Sequence, residues 1–337
     1  MENKRNESGL PLVTMAIACY NQQWCIAEAI EGAFAQTYSP LEIVIADDCS
    51  TDSTWEIVQR MTDEYRRNGG RHKVTLHRFA RNTYTAPEEE KPKFRAELHA
   101  LWKGELIVQA DGDDISMPDR VEKIVAIWLR EGEKADLLMS GSYRIDRGSR
   151  IIGKKSCYDH PSGSAMAYTN RMENFYGLWT TPQIYGDEVR YGRAQMLGGV
   201  KLIDDELVKY RVCGGVSQVL DDFRVPMVRQ YVCLQNSRLQ LLKDVETARS
   251  VLPEAEYLRW KQMFKREYDA YDAELPLWES GRMVQRLRAY FTMPLKRMFL
   301  SGMLVYGPLL LLPRWLGDPV LNLIHRIAVK VHLKIGQ

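Results

Sequence analysis

The sequence predicts an α/β fold: an open, mostly parallel β-sheet with helices on both of its faces. Two observations predict it. Between Leu12 and Trp128, short apolar runs alternate with segments in which apolar residues recur every three or four positions. Clusters of polar residues also follow three of these apolar runs, and strand ends are where open α/β sheets bind their ligands.

Four of the apolar runs are predicted to be strands of this sheet. Each is about five to seven residues long, which is typical of strands rather than of helices. The runs comprise residues 12–18, 41–46, 74–78 and 105–110. The carboxyl ends of parallel strands meet at one edge of a sheet, so we expect the polar clusters to lie together. These clusters are Cys19-Tyr20-Asn21, Asp47-Asp48-Cys49-Ser50 and Asp111-Gly112-Asp113-Asp114.

The segments between the strands predict amphipathic helices. Residues 22–37 and 53–67 each place their apolar side chains on one helical face. A third helix is predicted to open at Pro118, with Ser116 as its N-cap. The composition of residues 83–93 predicts a loop.

Changes in composition divide the chain into four predicted segments. Residues 1–10 are a polar, disordered leader, and residues 11–220 form the α/β domain. A helical extension follows in residues 221–292, and residues 293–337 form an apolar and basic amphipathic C-terminal segment.

The C-terminal segment leaves two interpretations open. Residues 298–313 are nearly free of charge but are fewer than the roughly 20 needed to span a bilayer, and glycines and prolines interrupt them. Beyond them, an apolar face with Lys330 and Lys334 predicts a basic amphipathic helix. The segment either packs on the protein or inserts into one membrane face, and the flanking cations favour insertion.

The overall composition excludes several classes of protein. A chain of 337 residues can bury a full core, and its net charge of +2 does not favour binding to nucleic acid. Neither a Walker-type nor a Gly-x-Gly-x-x-Gly phosphate loop occurs. The six cysteines match neither zinc-site nor disulfide spacing, which predicts reduced, mostly buried thiols in a cytosolic protein.

The carboxylates of Asp111 and Asp113 are predicted to converge. Residues two apart in an extended segment project to the same side, and Gly112 between them allows close approach of a ligand. Mn²⁺ and Mg²⁺ prefer carboxylate oxygens and take one or two from the protein, while phosphates fill other positions. By itself an Asp-x-Asp is a weak signal, because acidic turns are common at strand ends.

A second acidic pair, Asp47-Asp48, also follows a predicted strand. One interpretation is that it binds hydroxyls, base N–H groups or a metal. The other is that Asp48, Ser50 or Asp52 caps the helix that begins near Ser53.

Several ordered blocks of the chain resemble one known family. They are residues 13–21, 29–38, 42–52 and 109–114, followed by Asp187, Arg193, Gly198-Gly199 and residues 207–211. Together they resemble the family-2 glycosyltransferases with the GT-A fold of bacterial polysaccharide and O-antigen synthesis. The resemblance covers roughly residues 12–217, and the order of the blocks is far more specific than any one of them.

The resemblance implies a role for each matching residue. Asp48, with Asp47 as the adjacent candidate, would hold the nucleotide base or ribose. Asp111 would contact the ribose or diphosphate, and Asp113 would coordinate Mn²⁺ or Mg²⁺. Asp187 would be the catalytic base that takes the proton of the acceptor hydroxyl, with inversion at the anomeric carbon.

Four further residues are expected to complete the nucleotide-sugar site: Tyr20, Asn21, Arg95 and Arg211. For Arg211 an ion pair within the protein is an equal alternative to a phosphate contact.

Two departures from the family pattern bear on the site. Gly186 stands where the family has a glutamate before its base, which leaves Glu188 as the alternative to Asp187. Cys213 stands where the family has a histidine. Aromatic residues near the base are expected to be mostly core, with sugar stacking for about one of the four; they are Tyr176, Trp179, Tyr185 and Tyr191.

The expected function is therefore inverting transfer of a hexose or N-acetylhexosamine from a UDP-sugar to a glycan acceptor. The C-terminal segment suggests a lipid-linked oligosaccharide acceptor and a peripheral location at the cytoplasmic face of the inner membrane. One alternative is direct transfer to a polyisoprenyl phosphate, which needs a cationic pocket for the lipid phosphate. Another is a scaffold that binds nucleotide-sugars without catalysis, and the intact Asp111, Asp113 and Asp187 argue against it.

Overall fold

The computed structural model describes residues 9–157, 162–212, 224–279, 282–293, 308–312, 320–321 and 323. The chain forms two compact units. Unit 1 comprises Met1–Pro182, Gly186–Gly215 and Ser250–Leu252, and unit 2 comprises Gln183–Tyr185, Val216–Arg249 and Pro253–Gln337.

Unit 1 is a mixed α/β structure. Its strands are β1 (Val13–Cys19), β2 (Leu41–Asp47), β3 (Lys73–Arg78), β4 (Leu106–Asp111), β5 (Ile115–Ser116), β6 (Leu137–Ile145), β7 (Ile151–Lys155), β8 (Met166–Thr169) and β9 (Val200–Arg211). Its helices are α1 (Ile26–Phe34), α2 (Thr54–Arg67), α3 (Lys91–Leu101), α4 (Arg120–Arg130), α5 (Asn170–Tyr176) and α6 (Gly186–Met196).

The described strands form one sheet in the order β3-β2-β1-β4-β8-β6-β9-β5, with β7 paired to β6. The four predicted strands are β1 to β4, and all pairings among them are parallel. Beyond β4 the sheet is mixed rather than mostly parallel. β8 is antiparallel to both of its neighbours and β6 and β7 form a hairpin, whereas β6 and β9 are parallel. A short turn, residues 146–150, joins β6 to β7, and such a turn permits only antiparallel pairing.

Alternation along β1 to β4 gives the sheet two different faces. One face packs large side chains such as Met15, Ile17 and Ile43 against residues of α1, α2 and α4 in a single apolar cluster. The other face carries the small side chains of Ala16 and Ala18. There a cavity of about 170 Å³ lies between the sheet and α3. Helices therefore cover both faces, as predicted.

Two local predictions are corrected. Residues 83–93 do not form a loop throughout, because α3 begins at Lys91; Pro92 lies in its first turn, where a proline suits a helix. Ser116 is not an N-cap, because it belongs to β5 and its hydroxyl accepts a hydrogen bond from Arg120 Nη1 at 2.9 Å. The N-cap residue of α4 is Asp119.

Unit 2 contains the helices α7 (Arg224–Ala248), α8 (Glu254–Glu279) and α9 (Met283–Thr292). Its apolar core includes Trp278 and, from the C-terminal segment, Met293, Leu310 and Leu321. Among the residues that the structure describes, no helix is long and apolar enough to cross a membrane. Outside the described residues lie most of the leader, Cys213 and most of the C-terminal segment, Lys330 and Lys334 included.

The remaining cysteines agree with the prediction of mostly buried thiols. Cys19, Cys25, Cys49, Cys157 and Cys233 are free, and all except Cys49 are buried.

Candidate active site

The polar clusters after β1, β2 and β4 meet at one edge of the sheet. Parallel register places Cys19 beside Asp47, and Ala18 beside both Ala46 and Asp111. The turns continue this pairing, since Asp48 N–H donates to Cys19 O and Gly112 N–H donates to Ala18 O, both at 2.8 Å. The edge is therefore built by the backbone before any ligand is considered.

Asp47 lies on the core face and is fully buried. Its carboxylate accepts hydrogen bonds from the backbone N–H of Ser50, at 2.9 Å, and from the Ser50 hydroxyl. It also forms an ion pair with Arg78 Nε at 3.2 Å. These contacts give Asp47 a structural role. Its carboxylate lies on the core face, so it does not contact a ligand on the opposite face.

Asp48, one residue later, lies on the side of the ligand crevice, the name we use for the space at the carboxyl ends of β1, β2 and β4. Its carboxylate binds the segment after β3. Its Oδ1 accepts from Thr83 N–H at 2.7 Å, and its Oδ2 accepts from Thr83 Oγ1 and Asn82 Nδ2, each at 3.0 Å. Burial raises the pKa of the Asp48 carboxyl, and the bonds from Thr83 oppose that rise. Asp48 thus remains the nucleotide candidate, and sequence reasoning missed that Asn82 and Thr83 accompany it.

The structure assigns the N-cap of α2 to none of Asp48, Ser50 and Asp52: the N-cap residue is Ser53, and Asp52 lies just before it. Asp52 Oδ1 accepts from Thr54 N–H at 3.0 Å, at the start of α2. Bonds from Thr54 and Gln23 lower the pKa of the Asp52 carboxyl against the opposing effect of burial.

Tyr20 and Asn21 form the turn after β1. Asn21 has a positive φ of 50°, a conformation that asparagine tolerates better than most residues. Its Oδ1 accepts from Thr51 N–H at 2.8 Å, and its own N–H donates to Ser50 Oγ at 3.0 Å. Asn21 therefore ties two turns together, whereas the Tyr20 side chain is 41% exposed at the same edge and free to face a ligand.

Asp111 and Asp113 form the most electrostatically strained part of the site. Burial raises the pKa of Asp111 to about 8, and the neighbouring charges of Asp114, Asp113 and Asp187 add to the rise. Burial also raises the pKa of Asp113, while Arg211 and a hydrogen bond from Gln22 oppose it. Several carboxylates thus share a crevice with too little positive charge to balance them.

Gly112 also has a packing role within the protein. A Cβ at this position would lie 2.3 Å from Gln22 Oε1 and 2.7 Å from Cys19 Cβ. The missing side chain therefore makes room for the end of β1 and the turn after it, whether or not a ligand approaches there.

Asp114 and Arg211 stabilise the turn after β4 from its buried side. Asp114 is 4% exposed, and its Oδ1 accepts from Arg211 N–H at 2.8 Å. Burial raises its pKa to about 6. The buried Arg211 guanidinium donates to Asp113 O at 2.9 Å, to Asp146 O at 3.1 Å and to Glu28 Oε2 at 3.1 Å. This is the ion-pair alternative for Arg211, with Glu28 as a partner that sequence reasoning missed.

Asp187 lies in the first turn of α6. Its Oδ1 accepts from Glu188 N–H at 3.0 Å. Burial raises the pKa of the Asp187 carboxyl, and the charge of Arg190, three residues later, lowers it. Because Asp187 also acts on the pKa of Asp111, the predicted base and the predicted nucleotide carboxylate share one electrostatic environment.

Arg95 lies on α3, and its Nη1 donates to Trp179 O at 3.1 Å. Of the four aromatic residues near the base, Tyr176 is buried and donates its hydroxyl to Arg193 O at 3.2 Å, as expected of a core residue. Tyr185 belongs to unit 2 and Tyr191 is half-buried.

The residues present fit a divalent cation of the Mn²⁺ or Mg²⁺ type. Among the described residues, no group of three or more histidine, cysteine, aspartate or glutamate side chains forms a complete metal site. These cations need only one or two protein carboxylates when a phosphate supplies further oxygens. The hard oxygens of Asp113 and Asp111, in a crevice with excess negative charge, match that requirement.

Known proteins with similar sequences are glycosyltransferases. An uncharacterized glycosyltransferase of Nostoc sp. is 23% identical over 233 residues, covering 60% of this chain and 65% of that protein. The putative glycosyltransferase EpsE of Bacillus subtilis is 30% identical over 146 residues, covering 42% and 48%. The UDP-Glc:alpha-D-GlcNAc-diphosphoundecaprenol beta-1,3-glucosyltransferase WfaP of Escherichia coli is 44% identical over 54 residues, covering 16% and 22%. The chain thus matches less than two thirds of each relative's length.

Solved structures share the fold. S. aureus TarS 1-349, in a crystal structure with UDP-GlcNAc, superposes with a TM-score of 0.55 at 15% identity, covering 94% of this chain and 91% of that one. A sequence profile described as Glycosyl transferase family 2 matches residues 14–187, just over half of the chain, and this stretch contains Asp48, Asp111, Asp113 and Asp187. The sheet, its acidic edge and this match together show that the chain belongs to glycosyltransferase family 2, with a fold of the GT-A type.

Proposed function

We propose that this protein transfers a hexose or an N-acetylhexosamine from a UDP-sugar to a glycan acceptor, with inversion at the anomeric carbon. One observation carries the proposal: Asp111 and Asp113, at the end of β4, and Asp187, at the start of α6, lie close enough for their charges to act on one another. Three such carboxylates supply a nucleotide contact, a metal ligand and a base within one crevice.

Asp187 is the proposed base. The oxygen of an acceptor hydroxyl forms a bond to the anomeric carbon while the bond from that carbon to the diphosphate oxygen breaks. The hydroxyl proton passes to the Asp187 carboxylate, and the electron pair of the broken bond leaves with the nucleoside diphosphate. Burial raises the pKa of Asp187 and makes it a stronger base than an exposed aspartate.

The other carboxylates of the crevice are the proposed binding residues for the sugar-nucleotide donor. Asp48 would bind the base or ribose, Tyr20 is exposed beside it, and Asp111 would contact the ribose or diphosphate. Asp113 would hold Mn²⁺ or Mg²⁺, which stabilises the negative charge of a leaving diphosphate.

The relatives support a UDP-sugar and a lipid-linked acceptor. WfaP and WfgD of Escherichia coli are both named as glucosyltransferases that use UDP-Glc and act on alpha-D-GlcNAc-diphosphoundecaprenol. A hydroxyl acceptor needs a base, and a polyisoprenyl phosphate does not, because its attacking oxygen is already ionised. The position of Asp187 therefore favours a sugar hydroxyl as the attacking group.

We also propose that the protein lies at the cytoplasmic face of the inner membrane, with residues 324–337 against the lipid surface. The support is the basic character of residues 324–337 in the sequence. Flotation of the full chain on anionic vesicles, compared with Lys330→Glu/Lys334→Glu, tests it. Equal flotation of both forms would show that this charge does not bind the membrane.

The activity itself can be tested without knowing the acceptor, since such transferases slowly pass the donor sugar to water. We expect UDP release from UDP-glucose or UDP-N-acetylglucosamine that requires Mn²⁺ or Mg²⁺ and is lost in Asp113→Ala. The surface variant Asp63→Ala, on α2, is the matched control. Equal UDP release with and without the cation would overturn the metal assignment. No release from any UDP-, GDP- or dTDP-sugar would favour the non-catalytic scaffold.

A further inference from the structure

Next to the acidic crevice, the described residues form a cluster of positive charge around Trp179, which we call the arginine–tryptophan cluster: Arg95, Trp179, Arg190 and Arg193. The guanidinium carbon of Arg190 lies 4.8 Å from the centre of the Trp179 ring, that of Arg95 lies 5.4 Å away and that of Arg193 lies 5.8 Å away. Three cations thus converge on one aromatic side chain.

Arg190 connects this cluster to the proposed base. It lies three residues after Asp187 on α6, a spacing that puts both side chains on one helical face. Its Nε forms an ion pair with Glu173 Oε1 at 2.7 Å, and its Nη1 donates to Gln109 Oε1 at 3.2 Å. One of the three cations is therefore balanced by a buried carboxylate.

Arg95 has no such balance. Its guanidinium donates to the carbonyl oxygen of Trp179, and no carboxylate of the described residues lies within 4.0 Å of it in an ion pair. Burial lowers the pKa of Arg95 to about 10, Glu88 opposes that effect and Arg190 adds to it, so Arg95 stays charged at neutral pH. The buried Nε1–H of Trp179 also has no hydrogen-bond acceptor in the described part of the chain.

Gly186 adds no further carboxylate to this region, beyond Glu173 and Glu88. A Cβ at Gly186 would lie 3.3 Å from the Trp179 ring and 3.4 Å from Arg190 Nη1. The glutamate expected at this position from the family resemblance would bring a carboxylate towards the cluster. Its replacement by glycine leaves the positive charge for something outside the chain.

We propose that the arginine–tryptophan cluster binds an anionic group of the acceptor, a phosphate or a carboxylate, close to the hydroxyl that is attacked. The inference rests on the proposed function, because Asp187 must touch the acceptor hydroxyl and Arg190 lies one helical turn away from it. An anion there would accept hydrogen bonds from Arg95 and from the Nε1–H of Trp179. Among the described residues, Arg95 forms no ion pair and the Trp179 Nε1–H has no acceptor. The cluster therefore selects acidic acceptors rather than neutral glycans.

Binding of three probes tests the proposal. They are N-acetylglucosamine linked to a short alkyl diphosphate, the neutral alkyl glycoside of the same sugar, and an alkyl glucuronide of equal chain length. Calorimetric titration is done with UDP and Mn²⁺ present, so that the donor site is already filled. We expect the wild-type protein to bind at least one anionic probe roughly 10- to 100-fold more tightly than the neutral one. The diphosphate and glucuronide arms show which anion is the ligand.

Variants of the cluster test whether its charge, rather than its packing, causes the preference for an anionic probe. Arg95→Gln and Gly186→Glu should each abolish the preference for the anionic probe, whereas Gly186→Ala, which adds a methyl group without charge, should keep it. Arg60→Gln, an exposed arginine on α2, is the control for overall charge. Equal binding of charged and neutral probes by the wild type, or an unchanged preference in Arg95→Gln, would overturn the proposal.

The same samples distinguish this inference from the proposed function. Acceptor-independent release of UDP is measured on the wild-type protein, because that reaction needs only the acidic crevice. Loss of release in the wild type would contradict the transferase activity. Normal release without any preference for an anionic probe would contradict the arginine–tryptophan cluster alone.

Discussion

The acidic turns after β2 and after β4 each contain two adjacent aspartates. In each turn one aspartate is buried and stabilises the fold, and the other lies towards the crevice. After β2, Asp47 is buried against Ser50 and Arg78, while Asp48 lies on the crevice side. After β4, Asp114 is buried against Arg211, while Asp113 is half-buried and its pKa is raised by burial.

The two turns differ in what limits their carboxylates. Asp48 is already bound by Thr83 and Asn82, so a nucleotide must share or replace those bonds. Burial raises the pKa of both Asp111 and Asp113, and the charges of Arg120 and Arg211 oppose that rise without cancelling it. The first turn is therefore already hydrogen-bonded, whereas the second is the proposed binding site of a cation, which would offset the remaining negative charge.

The largest effect is expected at the second turn. Asp113→Ala should lower the cation-dependent turnover of a UDP-sugar about a thousandfold, because it removes the proposed ligand of an ion that stabilises the leaving group by several kcal/mol. Initial rates of UDP release at saturating Mn²⁺ measure this. A loss of less than tenfold would assign the ion to other residues.

Replacement of the base should have the next largest effect. Asp187→Asn should lower transfer to an acceptor at least a hundredfold, as expected when a general base is lost. The neighbouring variant Glu188→Gln is the matched comparison and should change the rate by less than about fivefold. If the two variants exchange these results, Glu188 is the base.

The first turn should separate stability from binding. Asp47→Ala should lower the free energy of unfolding by about 2–3 kcal/mol, because it leaves buried donors of Ser50 and the charge of Arg78 without their acceptor. Asp48→Ala should cost less than half of that and should instead raise the KM for the donor. Urea denaturation and donor titration of both variants measure the difference. A reversed pattern would exchange the roles of the two aspartates.

The smallest effect concerns pH. Asp187 acts in its deprotonated form, so kcat/KM should fall as the pH drops through the pKa of Asp187, which burial raises above the ordinary value of 3.8. The charge of Arg190 lowers this pKa, so Arg190→Gln should move the acid limb to higher pH, while Arg190→Lys should leave it near the wild-type position. An acid limb unmoved by Arg190→Gln would show that the titrating group is not Asp187.

Much of the site follows from local patterns. Short apolar runs between amphipathic segments predicted β1 to β4, and the positions of Asp48, Asp111 and Asp113 follow from where those runs end. The helix α3 was missed because only its first three residues lie in the acidic and proline-rich run 83–93, whose composition predicts a loop. The antiparallel β8 was missed because strand pairing depends on segments far apart in the chain.

The sequence alone determined the fold class, the family and the carboxylates from which the site is built, because strand alternation and the spacing of Asp-x-Asp are properties of neighbouring residues. Only the tertiary structure decided how those residues divide their roles. Arg211 forms an ion pair with Glu28, 183 positions away in the chain, and Arg95 donates a hydrogen bond to the carbonyl oxygen of Trp179, 84 positions away. Such contacts are set by packing between distant elements, and packing also decides which charges the fold neutralises and which it leaves for a ligand.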